Sequence, residues 1–82
     1  MYKLIFEKKA LQELNKLEKN IKERIWKKLQ DTKENPLRFF EKLIEIRGYK
    51  LRVGEWRIIG DIFEERETII ILRIGHRKNI YD

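Results

Sequence analysis

Residues 49–62 read YKLRVGEWRIIGDI, and this stretch decides the fold. Apolar and polar side chains alternate along its first five residues, and Gly54-Glu55 then interrupts the run, which is the pattern of two antiparallel strands joined by a two-residue turn. In this register Arg52 lies directly opposite Arg57. Because like charges in such a position destabilise a sheet, we expect this arginine pair to weaken the hairpin.

A third strand is predicted by the apolar run at residues 68–74, and its register depends on the turn at Glu64 to Glu67. A slip of one residue would turn every side chain to the other face of the sheet. A two-residue loop would bury Arg73 without a partner, which is costly. We therefore expect a three-residue loop, with Arg73 on the outer face and these residues facing the helices: Ile70, Leu72 and Ile74.

The outer face of this predicted sheet combines cations with exposed apolar side chains. Such a surface has no folding rationale, so we expect it to bind an anionic ligand or a protein partner. An ordinary solvated face on a basic protein is the alternative. The cations are Lys50, Arg52, Arg57 and Arg73, and the apolar residues are Ile59, Phe63, Ile69 and Ile71.

The N-terminal half supplies a first strand and two helices. Residues 2–6 form a short apolar run, and apolar residues then recur every three or four positions from Ala10 to Leu29, which predicts an amphipathic helical hairpin. We expect a break near Lys19 and an end at Pro36. Mixed charge on the polar side is typical of a solvated helix surface rather than of a dedicated RNA-binding helix. The fold class is α+β, with the hairpin packed on one face of an antiparallel sheet of about four strands.

Composition and charge narrow the class of protein. A chain of 82 residues supports one modest core, so residues 1–82 are expected to form a single domain. The net charge of +6 favours polyanionic partners. Six of the eight arginines lie at or after Arg47, and arginine suits bidentate phosphate contact, so the C-terminal half is where we expect a site. Since the chain shows neither a membrane-length apolar run nor a cleavable leader, we expect a cytoplasmic protein.

Missing residue types exclude several chemistries. The chain has no cysteine and no serine, and His76 is its only histidine, so neither a Ser-His or Cys-His nucleophile nor a multi-histidine metal site can be assembled. We expect no metal and no cofactor. A metal nuclease is the weakest alternative, because its acids look like charged turn residues: Asp61, Glu64, Glu65 and Glu67.

The last eight residues, GHRKNIYD, add two cations and a late tyrosine to the same strand. Alone each is a weak signal, since a single histidine is more often a surface or capping group and a terminal tyrosine more often packs. Together with YKLRVGEWRIIGDI, the segment FEKL at 40–43 and the Leu-rich helical hairpin, they resemble the RelE/ParE superfamily of bacterial and archaeal toxins. The resemblance covers essentially the whole chain and implies a RelE-like microbial ribonuclease-type fold.

The resemblance also implies a function. RelE-like toxins are mRNA interferases, ribosome-dependent endoribonucleases that cut mRNA in the A site by metal-independent attack of the ribose 2′-OH and so inhibit translation. The alternative is a ParE-like DNA gyrase inhibitor without nuclease activity, and an RNA-binding module is a third possibility. By position, the implied catalytic residues are Lys50, Arg52, Arg57, Arg77 and Tyr81. We expect neighbouring residues to bind RNA: Arg73, His76 and Lys78.

Partners follow from the same resemblance. A toxin of this kind is expected to act on mRNA at the ribosome and to be held inactive by a RelB-like antitoxin, in a higher-order complex such as a heterotetramer. An acidic, partly apolar antitoxin segment would suit the predicted outer face. We expect its apolar anchors to be Ile59, Phe63, Ile69 and Ile71.

Overall fold

The computed structural model describes residues 1–80, which form one five-stranded sheet and two helices. Strand order across the sheet is β1-β5-β4-β3-β2, with β1 parallel to β5 and the other neighbours antiparallel. The predicted α+β class is confirmed. The sheet is mixed rather than wholly antiparallel, because β1 is parallel to β5, and it has a fifth, short strand, β2. The elements are β1 (Lys3–Phe6), α1 (Lys8–Asn15), α2 (Lys19–Asp31), β2 (Glu41–Lys42), β3 (Tyr49–Val53), β4 (Trp56–Phe63) and β5 (Thr68–His76).

The two helices pack on one face of the sheet through the predicted apolar stripe. Its most buried members are Ala10, Leu14, Ile25 and Leu29. The break between the helices precedes Lys19, and α2 ends at Asp31 rather than at Pro36. Just beyond this end, the buried Oγ1 of Thr32 donates a hydrogen bond to the Leu29 carbonyl at 2.7 Å.

The β3–β4 hairpin has the register that the sequence predicts, with Arg52 opposite Arg57. Gly54 adopts a φ of 60° in the two-residue turn, whereas Glu55 has no positive φ. This matches the type II′ turn, which takes glycine at its first central position. Any other residue at Gly54 would strain the backbone, since residues that carry a Cβ rarely adopt a φ of this sign.

The predicted register of β5 is wrong by one residue over its first half. Phe63 pairs with Thr68, so the loop has four residues rather than three. Ile69 and Ile71 therefore face the helices and are fully buried, whereas Ile70 lies on the other face. An irregularity beside Gly60 then adds one residue to β5. This bulge returns Ile74 to the core, where the sequence predicts it.

The predicted apolar patch on the outer face is consequently wrong. Ile69 and Ile71 belong to the main core, and Phe63 is half-buried. Ile59 does lie on the outer face, but it is buried in a small second cluster with Leu43 and Ile80. The segment before β3 and the turn after β5 thus cover part of this face. They bury Ile59, one of the anchors that we expected an antitoxin to bind.

The turn after β5 packs closely against the sheet at Gly75, where Ile80 lies. A Cβ at Gly75 would lie 3.3 Å from the Cβ of Ile80, so a larger residue there would force the C-terminal turn to shift by a few tenths of an ångström. In the part of the chain that is described, neither helix is long and apolar enough to cross a membrane.

Candidate functional site

Three basic residues lie on the face of the hairpin that points away from the helices. Lys50 pairs across the sheet with Ile59, and Arg52 pairs with Arg57. The two rows are two residues apart along β3, or about 7 Å. Lys50 is half-buried and Arg52 is exposed, so cationic groups border the small cluster that Ile80 closes.

Arg57 departs from its predicted role as an exposed, repelling charge. Its side chain is only 4% exposed, and Nη1 donates hydrogen bonds of 3.0 Å to the carbonyl oxygens of Gly54 and Trp56. The guanidinium therefore ties the β3–β4 turn to the strand beneath it. Because those carbonyls would lose a charged donor, the expected gain from relieving repulsion by Arg52 is overturned.

Arg57→Ala should lower the free energy of unfolding by about 1–3 kcal/mol, which is the range for losing buried hydrogen bonds to a charged group. Urea titration followed by circular dichroism measures the change. Arg52→Ala is the matched control, since it removes the exposed member of the pair and should change stability little. A more stable Arg57→Ala protein would contradict the structural role.

His76 organises the turn that follows β5. Its ring stands edge-on to the Trp56 ring with centroids 5.3 Å apart, and its Nδ1 accepts a hydrogen bond from the Lys78 N–H at 3.1 Å. The His76 carbonyl also accepts from the N–H groups of Asn79 and Ile80. This turn directs Ile80 onto the outer face. Tyr81, a predicted catalytic residue, lies outside the described residues.

Arg77 lies at the end of the β3–β4 hairpin. Its backbone N–H donates to the Glu55 carbonyl at 2.8 Å, and its Nε lies 3.3 Å from Glu55 Oε1. The Arg77 side chain is half-exposed, so this ion pair is screened by solvent and is weak. An anion could therefore compete for the guanidinium. Lys78, the next residue, is exposed.

Arg73 forms an ion pair with Glu13, a residue that the sequence pattern does not predict to be part of a site. Its Nε and Nη2 donate to the Glu13 carboxylate at 3.1–3.3 Å, and the Ile74 N–H donates to Glu13 Oε1 at 2.8 Å. Strand β1 stops pairing at Ile71, which leaves the next part of the β5 edge uncovered. The Glu13 carboxylate of α1 accepts the hydrogen bond of the Ile74 N–H on that edge. An open edge needs such a partner, but the sequence does not show which acidic side chain supplies it.

The same contacts lower the pKa of Glu13. Burial by itself would raise it, but hydrogen bonds from Arg73 and the Ile74 N–H, together with the charges of Arg73 and Lys9, outweigh burial. A carboxyl with a lowered folded-state pKa stabilises the fold above its ordinary value of 4.5. That contribution disappears as the pH falls from this value through the lower folded-state pKa.

Glu13→Gln should therefore be less stable than the wild type at pH 7, by about 1 kcal/mol because Arg73 is partly exposed. This difference in the free energy of unfolding between the two proteins should disappear as the pH is lowered below 4.5. Urea midpoints of both proteins between pH 7 and pH 3 measure it, and Glu23→Gln on the exposed surface of α2 is the control. A gap that stays constant across this range would show that Glu13 does not act through its charge.

The acidic residues near the β4–β5 turn do not form an evident site. Asp61 Oδ1 accepts a hydrogen bond from the Ile62 N–H at 2.9 Å, and Oδ2 lies 3.7 Å from Arg47 Nε. Among residues 1–80, no three acidic, cysteine or histidine side chains come together in a way that could hold a metal ion.

A helical hairpin on one face of a sheet, with basic residues on the opposite face and a C-terminal turn folded over it, defines the RelE/ParE class of small toxin domains. The family model described as "ParE toxin of type II toxin-antitoxin system, parDE" matches residues 4–81. The chain belongs to this family of toxins.

Similar proteins agree with this assignment. The chain is 30% identical over 83 residues to the mRNA interferase toxin RelE of Escherichia coli K12, covering 94% of this chain and 84% of that protein. A RelBE toxin–antitoxin complex from Mycobacterium tuberculosis contains a chain that is 32% identical, with a TM-score of 0.84 over 93% of this chain and 98% of that one. The isolated E. coli RelE toxin is 28% identical, with a TM-score of 0.80 over 93% and 84% of the two chains.

Proposed function

We propose that this toxin is an endoribonuclease that cleaves mRNA in the ribosomal A site and so inhibits translation, without a metal ion. The observation that carries the proposal is the arrangement of Lys50 and Arg52 on one sheet face, with the Arg77 turn at the end of the same hairpin. The 30% identity to a protein named as an mRNA interferase toxin supports the same reading.

RNA supplies its own nucleophile in the proposed reaction, which suits a chain without serine or cysteine. The ribose 2′-oxygen attacks the adjacent phosphorus, and its proton passes to Lys50, the proposed general base. The bond from phosphorus to the 5′-oxygen then breaks. The products are a 2′,3′-cyclic phosphate and a 5′-hydroxyl, whose proton comes from a general acid.

The remaining roles are divided according to exposure and contacts. Arg52 and Arg77 stabilise the negative charge that develops on the phosphate, and Arg77 or Tyr81 assists the leaving oxygen. Arg57 is a positioning residue, because it is buried and holds the hairpin turn. We propose RNA contacts for His76, Lys78 and Arg73, and the ion pair with Glu13 reduces the contribution of Arg73.

The proposed partner is a RelB-like antitoxin in a higher-order complex such as a heterotetramer. Similar chains occur in RelB–RelE complexes from E. coli and Methanococcus jannaschii, at 26% and 28% identity. Because three of the four anchors expected from the sequence are buried and the fourth, Phe63, is half-buried, we propose that the antitoxin contacts other apolar side chains. The large ones exposed in residues 1–80 are Met1, Ile5, Leu11, Trp26, Leu37, Ile44 and Ile46.

Inhibition of DNA gyrase without nuclease activity is the second candidate. The observation in its favour is that the matching family model is the ParE one. A gyrase inhibitor has no need of an acid, a base and a phosphate clamp. The basic residues of β3 therefore favour the nuclease.

One experiment separates the two functions. Primer extension on cellular mRNA after brief induction of the toxin should show new 5′ ends within translated regions, while a gyrase supercoiling assay with the purified toxin should show full activity. Adding a chelator to a ribosome-based cleavage reaction tests independence from metal. Intact mRNA together with inhibited supercoiling would overturn the proposal in favour of the gyrase inhibitor.

A further inference from the structure

A second basic site lies beside the proposed catalytic face, between α2 and the β3–β4 hairpin. It is an open cavity of about 340 Å³. Four of its seven lining residues are cations and one is acidic. The lining residues are Arg24, Lys27, Lys28, Asp31, Arg52, Val53 and Gly54. We call this cavity the α2–hairpin groove.

The groove differs from an ordinary mixed-charge helix surface because three of its four cations form no ion pair within residues 1–80. In the described part of the chain, Arg24, Lys27 and Arg52 form no ion pair. Lys28 instead lies over the Phe39 ring, 5.0 Å from its centroid. Several cations facing one cavity repel each other, and an anion bound among them would relieve that repulsion.

The hairpin turn brings one of these cations into close contact. Arg24 Nη2 lies 3.0 Å from the position that a Cβ would occupy at Gly54, so a glycine in the turn allows the guanidinium to approach. The Gly54 carbonyl accepts the hydrogen bond from Arg57 Nη1. The turn is therefore fixed from the sheet side while Arg24 contacts it from the helix side.

Arg52 connects the groove to the outer face of the sheet. It lines the groove and also lies opposite Arg57, one row from Lys50 along β3. A chain of phosphates passing from the outer face around the hairpin would meet cations throughout. An RNA strand has regularly spaced charges that suit such a path, and arginine forks bind phosphate oxygens in pairs.

We propose that the α2–hairpin groove binds a phosphodiester of RNA next to the reacting segment. The inference rests on the proposed function for the position of that segment, but the groove itself needs only RNA as its ligand. The RNA is either the strand to be cleaved or a neighbouring structured RNA, because both offer the same phosphate chemistry. Binding in the groove thus increases the affinity of the protein for RNA and orients the RNA, and the groove residues take no part in bond cleavage.

The test compares two double variants that each remove two exposed positive charges. Arg24→Gln/Lys27→Gln changes the groove, and Lys16→Gln/Lys19→Gln changes positions outside it. The probes are a labelled single strand and a labelled hairpin, both of 2′-O-methyl RNA, which lacks the attacking hydroxyl. Binding is measured across a salt series, and thermal melting checks that both variants fold.

The groove variant should bind RNA roughly ten-fold more weakly at low salt, and its slope of log affinity against log salt should fall by about 1. The control variant should keep the wild-type slope. An effect on the single strand alone assigns the groove to the substrate, and an effect on the hairpin alone assigns it to structured RNA. Lys27→Gln alone should give about half of the change in slope.

Equal slopes for the two double variants would overturn the proposal. So would an unchanged affinity for RNA together with weaker binding of a Glu-rich peptide, which would make the groove a protein-binding site. Cleavage is measured separately on unmodified RNA. A toxin that cleaves no RNA but shows the groove-specific loss of slope would refute the proposed nuclease function and leave the groove standing.

Discussion

Arg77→Ala should lower the rate of RNA cleavage by about 10²- to 10³-fold, the usual consequence of removing one donor that stabilises charge in a transition state. Toxicity on induction should disappear with it. The Arg77 side chain is half-exposed, and its only described ion pair is with Glu55, so the fold should remain intact. Cleavage in a ribosome-based reaction and growth after induction measure the two effects.

Arg66→Ala is the matched control for this experiment. Arg66 is exposed in the turn between β4 and β5, at the opposite end of the sheet from the β3–β4 turn, so its loss removes the same charge away from the site. It should retain full cleavage and toxicity. Full toxicity in Arg77→Ala would remove this arginine from the proposed mechanism.

Ile71→Ala should destabilise the protein by about 2–5 kcal/mol, because it empties a fully buried position in the main core. The Ile71 side chain packs against Gly60, with Cδ1 3.5 Å from where a Cβ there would lie. Gly60 has no side chain that could fill the cavity left by this substitution. For a domain of this size the melting temperature should fall by roughly 10 °C or more.

Ile70→Ala is a sharp control for the register of β5. Ile70 is the same residue type and the next in the strand, but it faces outward and is only half-buried. Its truncation should cost about 1 kcal/mol. If Ile70→Ala were the more damaging change, the strand would have the register that the three-residue loop predicts.

The hairpin and the helical stripe could be predicted because local patterns determine them. Alternation around Gly54-Glu55 leaves one register for β3 and β4, and the structure has it. The spacing from Ala10 to Leu29 likewise predicts which side of the helices is buried. In both segments the residues that decide the structure are neighbours in sequence.

The register of β5 was not predictable from its own residues. A run of three isoleucines carries no alternation, so the number of residues in the preceding turn decides which of them is buried. The turn has four residues, with Glu67 at a φ of 46°, a conformation that is uncommon for a residue with a side chain. The bulge near Gly60 then corrects the phase only in the second half of the strand.

The candidate site was predictable by strand position but not by contact. Lys50 and Arg52 share a face because they are two residues apart in a strand. The burial of Arg57, by contrast, depends on the turn carbonyls that its guanidinium binds. The partner of Arg73 is 60 residues away in sequence, and no local pattern connects them.

The position of β5 between β1 and β4 has a consequence for the order of folding during synthesis. The first strand of the chain pairs with the last, Lys3 with Thr68, so the sheet cannot close until β5 has left the ribosome. Arg77 is synthesised later still. The nascent chain therefore cannot bring Lys50 and Arg52 of β3 together with the Arg77 turn until β5 and this turn have been made.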